Sequence, residues 1–192
     1  RIVSTLANIH LCPTDINRQN LYLESAPGSF YVVGNTVLDN LVAYKEDCQY
    51  LDKVLVTMHR RENHDKIQEW FKYINELAIE YPLLDFILPV HPNPNISNNT
   101  HLLPNVKLIK PLSHDDLLEL LIKCKMVITD SGGIQEECSF FNKKCLVCRE
   151  ITERPESVGL SSFMVHEPNE LKDLFTNHIQ SPIIDIESPY GD

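Results

Sequence analysis

The sequence predicts an α/β domain, a parallel sheet with helices on both faces, and two observations carry that prediction. Short β-branched runs recur at Tyr31-Val32-Val33, Val54-Leu55-Val56, Phe86-Ile87-Leu88, Val106-Lys107-Leu108-Ile109, Val127-Ile128 and Cys145-Leu146-Val147. Segments with helical spacing lie between them. The runs are continuously apolar rather than alternating, the pattern of strands buried on both sides. Strands that alternate with helices join by right-handed crossovers, which makes the architecture Rossmann-like.

Taken in order, the chain opens on Arg1 and an amphipathic stretch, Ile2-Val3-Ser4-Thr5-Leu6-Ala7, so it is expected to be a piece of something longer. Helical spacing then appears at Val37/Leu38/Leu41, at Ile67/Trp70/Phe71/Ile74/Leu77 and at Leu117/Leu118/Leu121. A further helix is expected to begin at the two glycines of Thr129-Asp130-Ser131-Gly132-Gly133, directly after the Met126-Val127-Ile128 run. No internal repeat, heptad or low-complexity tract interrupts this order.

Composition narrows the function. In 192 residues with 43% hydrophobic content there is enough apolar material for one sizeable domain or two small ones. A net charge of −10 excludes a broad basic face, so no nucleic acid is expected, and anion sites must be argued locally. No apolar run is long enough to span a bilayer and no signal peptide is visible, so no membrane partner is expected. Six cysteines spread through predicted strands and helices suit buried thiols in a reducing compartment, hence the cytoplasm. Cys145 and Cys148 have CxxC spacing, but positions three apart in a strand face opposite ways, so neither a zinc nor a redox role is expected. Two overlapping asparagine sequons, at Asn95 and Asn98, are read as chance.

In a Rossmann-like sheet ligands sit beyond the carboxyl ends of the strands, so the loops there carry the chemistry. Ser131-Gly132-Gly133 lies where unpaired helix amides and the macrodipole favour an anion. Two missing Cβ atoms admit a diphosphate, and the Ser131 hydroxyl adds a donor. The competing reading is an ordinary cap with a tight turn. Glu137 stands one turn past Gly133, about 6 Å along the axis, where a carboxylate can accept from two vicinal ribose hydroxyls. Glu136 points elsewhere and is expected only to favour the helix dipole. His59-Arg60-Arg61-Glu62 gathers cations in an acidic chain, suited to a departing diphosphate or, equally, to a salt-bridged surface loop. His91 stands at a strand end, ahead of a backbone fixed by Pro92 and Pro94, and is either a capping or core-satisfied histidine or a ligand contact. Arg154, in Thr152-Glu153-Arg154-Pro155-Glu156, offers one more guanidinium, though those charges could pair among themselves.

Together MHRREN (58–63), HPNPN (91–95), TDSGGIQEE (129–137) and TERPES (152–157) resemble the UDP-N-acetylglucosamine 2-epimerase family in order and spacing. LCPTDINRQNL (11–21), VVGNTVLDNL (32–41) and PYGD (189–192) extend the resemblance over nearly the whole chain. The resemblance implies a two-domain glycosyltransferase-B-like fold of which this chain is the second, nucleotide-binding domain. Residues 1–29 are then a connecting segment from a missing N-terminal domain, and residues 30–192 the UDP-binding domain.

It also implies roles. His59 contacts the diphosphate and assists its departure; Ser131, Gly132 and Gly133 cradle the phosphates; Glu137 holds the ribose; Arg154 lies near the phosphates. Arg60 and His91 match positions that bind an activating second UDP-sugar in non-hydrolysing members, the branch the chain resembles more. Leu117 stands about where the family often has an aromatic residue near the uracil. The expected reaction interconverts UDP-N-acetylglucosamine and UDP-N-acetylmannosamine by elimination and re-addition of UDP, with no metal or other cofactor, in a homodimer of the full-length enzyme. This chain alone is expected to be inactive. The alternatives are the hydrolysing branch, which releases N-acetylmannosamine and UDP, and a non-catalytic UDP-binding module.

Overall fold

The computed structural model of the chain describes residues 2–182 and 187–191. Arg1, on which the expectation of an excised start rests, and Asp192, the last residue of PYGD, lie outside the described residues.

The chain opens with a short helix α1 (Ile2–Leu6), then β1 (Ile9–Cys12), α2 (Asp15–Leu23) and β2 (Ser29–Val32). Strands β1 and β2 pair in parallel as a separate two-stranded sheet. Thr14 caps α2, its hydroxyl accepting from the Asn17 amide.

The main sheet contains β3 (Leu51–Thr57), β4 (Asp85–Pro89), β5 (Lys107–Ile109), β6 (Cys124–Thr129), β7 (Lys144–Cys148) and β8 (Ser162–Val165). Its order is β5-β4-β3-β6-β7-β8, and every pairing is parallel. The order reverses between β3 and β6, so their carboxyl ends flank the crevice where ligands bind in open α/β sheets.

Alternate residues of each strand serve alternate faces. Val54, Val56, Phe86, Leu88, Met126, Ile128, Leu146, Cys148 and Val165 form one core with α3 (Ile67–Glu80) and α7 (Leu171–Ile179). Leu55, Val127, Cys145 and Val147 form the other with α5 (His114–Leu121), α6 (Gly132–Phe140) and the 3-10 helix Leu38–Asp47. Helix α3 explains its own placement: Trp70, Phe71, Ile74 and Leu77 share one stripe and are fully buried, each worth about 1.5–3 kcal/mol of transfer free energy. A last short helix, α4 (Pro94–Ser97), follows β4 with Asn93 as its cap. Cys145 and Cys148 fall in opposite cores, and all six cysteines are free thiols.

Three expectations are corrected. The run at Tyr31 does not join the main sheet: it pairs with β1, which the sequence reading missed because His10 and Cys12 interrupt a four-residue strand. The sixth strand of the sheet is instead β8, a four-residue strand opening on a serine, which masked it. The Val37/Leu38/Leu41 segment is a 3-10 helix rather than α, with only Leu38 and Leu41 buried. The expected domain division at 29/30 falls at the start of β2.

Candidate functional site

A pocket of about 390 Å³ opens at the carboxyl ends of β3, β4 and β6, and its walls include Met58, His59, Val90, His91, Leu112, His114, Leu117, Ser131, Gly133 and Glu137. Those ends meet because Thr57 and Thr129 are register partners whose hydroxyls share a 2.5 Å hydrogen bond. The Thr129 hydroxyl also accepts from the Ser131 amide at 3.0 Å, turning the chain into α6.

Ser131 is the N-cap of α6, yet its hydroxyl makes no capping bond. Neither Gly132 nor Gly133 has a left-handed φ, and a Cβ at either would meet nothing closer than 3.9 Å. Backbone strain and internal packing therefore do not require glycine here. The amides of the helix N-terminus have no side-chain cap, and they suit an anion.

The His59 loop is held by Asp130, a fully buried carboxylate. It accepts from the His59 amide at 2.9 Å, the Arg60 amide at 2.9 Å, Asn63 Nδ2 at 3.1 Å and His59 Nδ1 at 3.1 Å. Burial alone pushes the Asp130 carboxyl up, but the His59 and Asn63 hydrogen bonds, the Arg60 amide and the nearby imidazole outweigh it and hold it below its ordinary value. Asn63 extends the network, donating to Cys148 O at 2.9 Å and accepting from Trp70 Nε1 at 3.1 Å. With His59 Nδ1 committed to Asp130, Nε2 is the ring nitrogen left for a ligand.

Glu137 Oε1 accepts from His114 Nε2 at 3.0 Å, while Oε2 is buried without a hydrogen-bond partner among the described residues. Burial raises its pKa, the His114 hydrogen bond and charge pull it back, and Glu136 adds a further upward push. His91 stacks with His59 at 5.8 Å between ring centroids, and its Nδ1 accepts from the Asn93 amide at 3.1 Å; it both caps its loop and lines the pocket.

The structure thus brings His59, His91, Ser131, Gly133 and Glu137 together. Arg60 joins through its backbone amide, and Gly132 through the helix start. Arg154 is elsewhere: its Nε pairs with Glu136, and it lines a second cleft with Asn35 and Tyr190. Only its Cγ comes near Gly132. The dipole-only role expected for Glu136 is too small, since the same carboxylate also accepts from Asn35 Nδ2 at 2.8 Å and so ties the segment after β2 to α6.

Sequence reasoning assigned no role to Asp130, Asn63, His114 or Arg149. Arg149 is buried, bonds Glu62 at 2.8 Å and turns Nη1 towards Gly132 without a hydrogen-bond partner among the described residues. An aspartate at a strand end before two glycines was the visible signal for the first of these. No group of three metal-ligating side chains occurs among the described residues, and none of their helices is long and apolar enough to cross a membrane.

Residues 1–192 match the family described as UDP-N-acetylglucosamine 2-epimerase. The chain is 38% identical over 188 residues to the UDP-N-acetylglucosamine 2-epimerase of Campylobacter jejuni, covering 82% of this chain and 48% of that one. The crystal structure of UDP-GlcNAc 2-epimerase from Neisseria meningitidis bound to UDP-GlcNAc superposes with a TM-score of 0.87 and 34% identity, over 100% of this chain and 60% of that one. An E. coli heptosyltransferase solved with ADP shares the fold alone, at a TM-score of 0.55 and 14% identity over 84% of this chain and 55% of that one. The architecture is glycosyltransferase-B-like, and the chain spans about half the length of the curated relatives it matches. The chain belongs to the UDP-N-acetylglucosamine 2-epimerase family.

Proposed function

We propose that this chain is the UDP-binding part of an enzyme that interconverts UDP-N-acetylglucosamine and UDP-N-acetylmannosamine. The observation that carries the proposal is the pocket at the β3/β6 switch point, where an uncapped helix N-terminus, His59 and Glu137 face one space. The amides at Gly132 and Gly133 and the Ser131 hydroxyl hold the diphosphate. Glu137 accepts from the ribose hydroxyls, and Leu112 and Leu117 give the base an apolar wall. When both ring nitrogens of His59 carry protons, Nδ1–H is given to Asp130 and Nε2–H donates to the diphosphate oxygen as the bond to sugar carbon 1 breaks. That fixed donor, with the helix amides, stabilises charge developing on departing UDP, the contribution that usually dominates. UDP then re-adds to carbon 1 of the 2-acetamidoglucal on the face it left, and return of a proton to the opposite face of carbon 2 completes the epimerisation.

The proton on carbon 2 is removed and returned by residues outside this chain. Support for an absent companion domain comes from β1 and β2, an isolated parallel pair exposing Ile9, Leu11, Tyr31, Val32 and Val33. Two strands are not independently stable, so the pair reads as the edge of a larger sheet, and the division between the units falls after Val32 rather than at 29/30. Arg60 and His91 contribute to an activator site in the cleft between the units, and Arg154 reaches the phosphates when that cleft closes. The full-length protein is a homodimer in the cytoplasm, where free thiols persist.

The test is product analysis in deuterated water. The intact protein is expected to yield UDP-N-acetylmannosamine with deuterium at carbon 2, and the 192-residue chain alone to yield no turnover. Free N-acetylmannosamine plus UDP as the only products assigns the hydrolysing branch instead. Turnover by the chain alone contradicts the proposal.

A further inference from the structure

His114 is the first residue of α5, and Ser113 fixes it there: the Ser113 hydroxyl accepts from the Asp116 amide at 3.2 Å and donates to Asp116 Oδ2 at 2.6 Å. The imidazole so placed lines the same pocket as Glu137 and reaches its Oε1 at 3.0 Å. A carboxylate offers about four lone-pair sites. His114 takes one on Oε1, while Oε2 is buried and makes no hydrogen bond among the described residues, leaving two sites for two vicinal hydroxyls.

We propose that His114 is a positioning residue for nucleotide recognition: it holds Glu137 ionised and turned so that Oε2 receives both ribose hydroxyls, and it thereby sets the acid limit of UDP affinity. This rests on the reading of Glu137 as the ribose acceptor. The asymmetry of the pair favours it over a simple brace between α5 and α6. The His114 side chain is 58% exposed and that of Glu137 only 8%, so as an ion pair it adds little stability. Its effect falls instead on the protonation and orientation of the buried partner.

The groups that bear on the pair are His59 and His91 across the pocket, Glu136 beside Glu137 on α6, and Asp115 and Asp116 in the first turn of α5. Burial pushes the Glu137 pKa up, and the His114 hydrogen bond and charge are what pull it back. Removing His114 leaves burial and Glu136 in command, so the carboxylate takes up its proton at a higher pH and accepts less well from ribose.

The experiment is calorimetric titration of the 192-residue chain with UDP and with 2′,3′-dideoxy-UDP between pH 8 and pH 5, with Tm recorded on every sample. Both ligands carry the same diphosphate and base, so the ratio of the two affinities isolates Glu137. In the unaltered chain the ratio is expected to fall towards acid pH. In His114→Ala the fall begins at higher pH, making the ratio at pH 6 at least about threefold smaller than in the unaltered chain. His114→Gln, whose amide N–H takes the place of Nε2–H, recovers part of that loss at neutral pH. Glu137→Gln gives a ratio near one at every pH. Equal pH profiles for the unaltered chain and His114→Ala overturn the role of His114 while leaving the ribose assignment intact. A ratio of one in the unaltered chain overturns the ribose assignment itself, and the inference with it.

Discussion

Asp130 stands just before α6 and Glu137 within it, both carboxylates and both buried, and the protein treats them oppositely. Asp130 is saturated by the His59 and Arg60 amides, Asn63 and the His59 ring, and is held below its ordinary pKa. Among the described residues Glu137 has one donor and an unbonded buried oxygen, and its pKa is raised. A buried charge whose hydrogen bonds are complete within the chain holds structure together. One whose bonds are incomplete costs stability, and a ligand that completes them repays it.

The contrast breaks most visibly at Asp130. Asp130→Ala strands several donors and frees the His59 loop, so urea unfolding at neutral pH is expected to show a loss of about 3–5 kcal/mol. A depressed folded pKa contributes stability that is present above the unfolded value, about 3.9, and lost as pH falls through the folded one. The gap between Asp130→Ala and the unaltered chain therefore narrows in acid. A gap below about 1 kcal/mol at neutral pH contradicts the structural role.

Gly133→Ala sharpens the comparison from the ligand side. Its new Cβ meets only Ser131 Oγ at 3.9 Å, so the substitution fits the folded chain and restricts the unfolded one. A gain of about 0.4–1 kcal/mol in stability is expected alongside a roughly tenfold loss of UDP affinity. Unchanged UDP affinity removes the phosphate-cradle reading.

The smallest effect expected is on folding at Glu137. Glu137→Gln keeps an acceptor for His114 and discards a charge that burial disfavours, so stability shifts by less than about 1 kcal/mol. Here the sign is reversed. The raised folded pKa means the cost applies while Glu137 is ionised and is relieved as pH falls, so any advantage of the glutamine variant fades in acid. A large loss in urea titrations at neutral pH makes Glu137 a second Asp130.

Much of this was legible in the sequence where local chemistry decides the outcome. The apolar strands from Val54 onward and the α3 stripe from Ile67 to Leu77 follow from pattern alone, because burial on both faces leaves no alternation to misread. The positions of His59, Ser131, Gly133 and Glu137 followed from their places at strand ends. Long-range partners were not legible. Nothing local tells that Asp130 reaches back to residues 59–63, that His114 lands on Glu137, or that Arg154 pairs with Glu136. Strands β1 and β8 were missed for a related reason: four residues carry too little periodicity, and their pairing depends on chain far away.

The ribose role proposed for the unsaturated Glu137 is tested directly by a double comparison. UDP and 2′,3′-dideoxy-UDP are titrated at neutral pH into the unaltered chain and into Glu137→Gln, each confirmed folded by its unfolding curve. The unaltered chain is predicted to prefer UDP by about 1.5–3 kcal/mol, roughly ten- to a hundredfold in affinity, and Glu137→Gln to bind both ligands about equally. The same preference for UDP in both proteins contradicts the claim and leaves Glu137 as a buried carboxylate braced by His114.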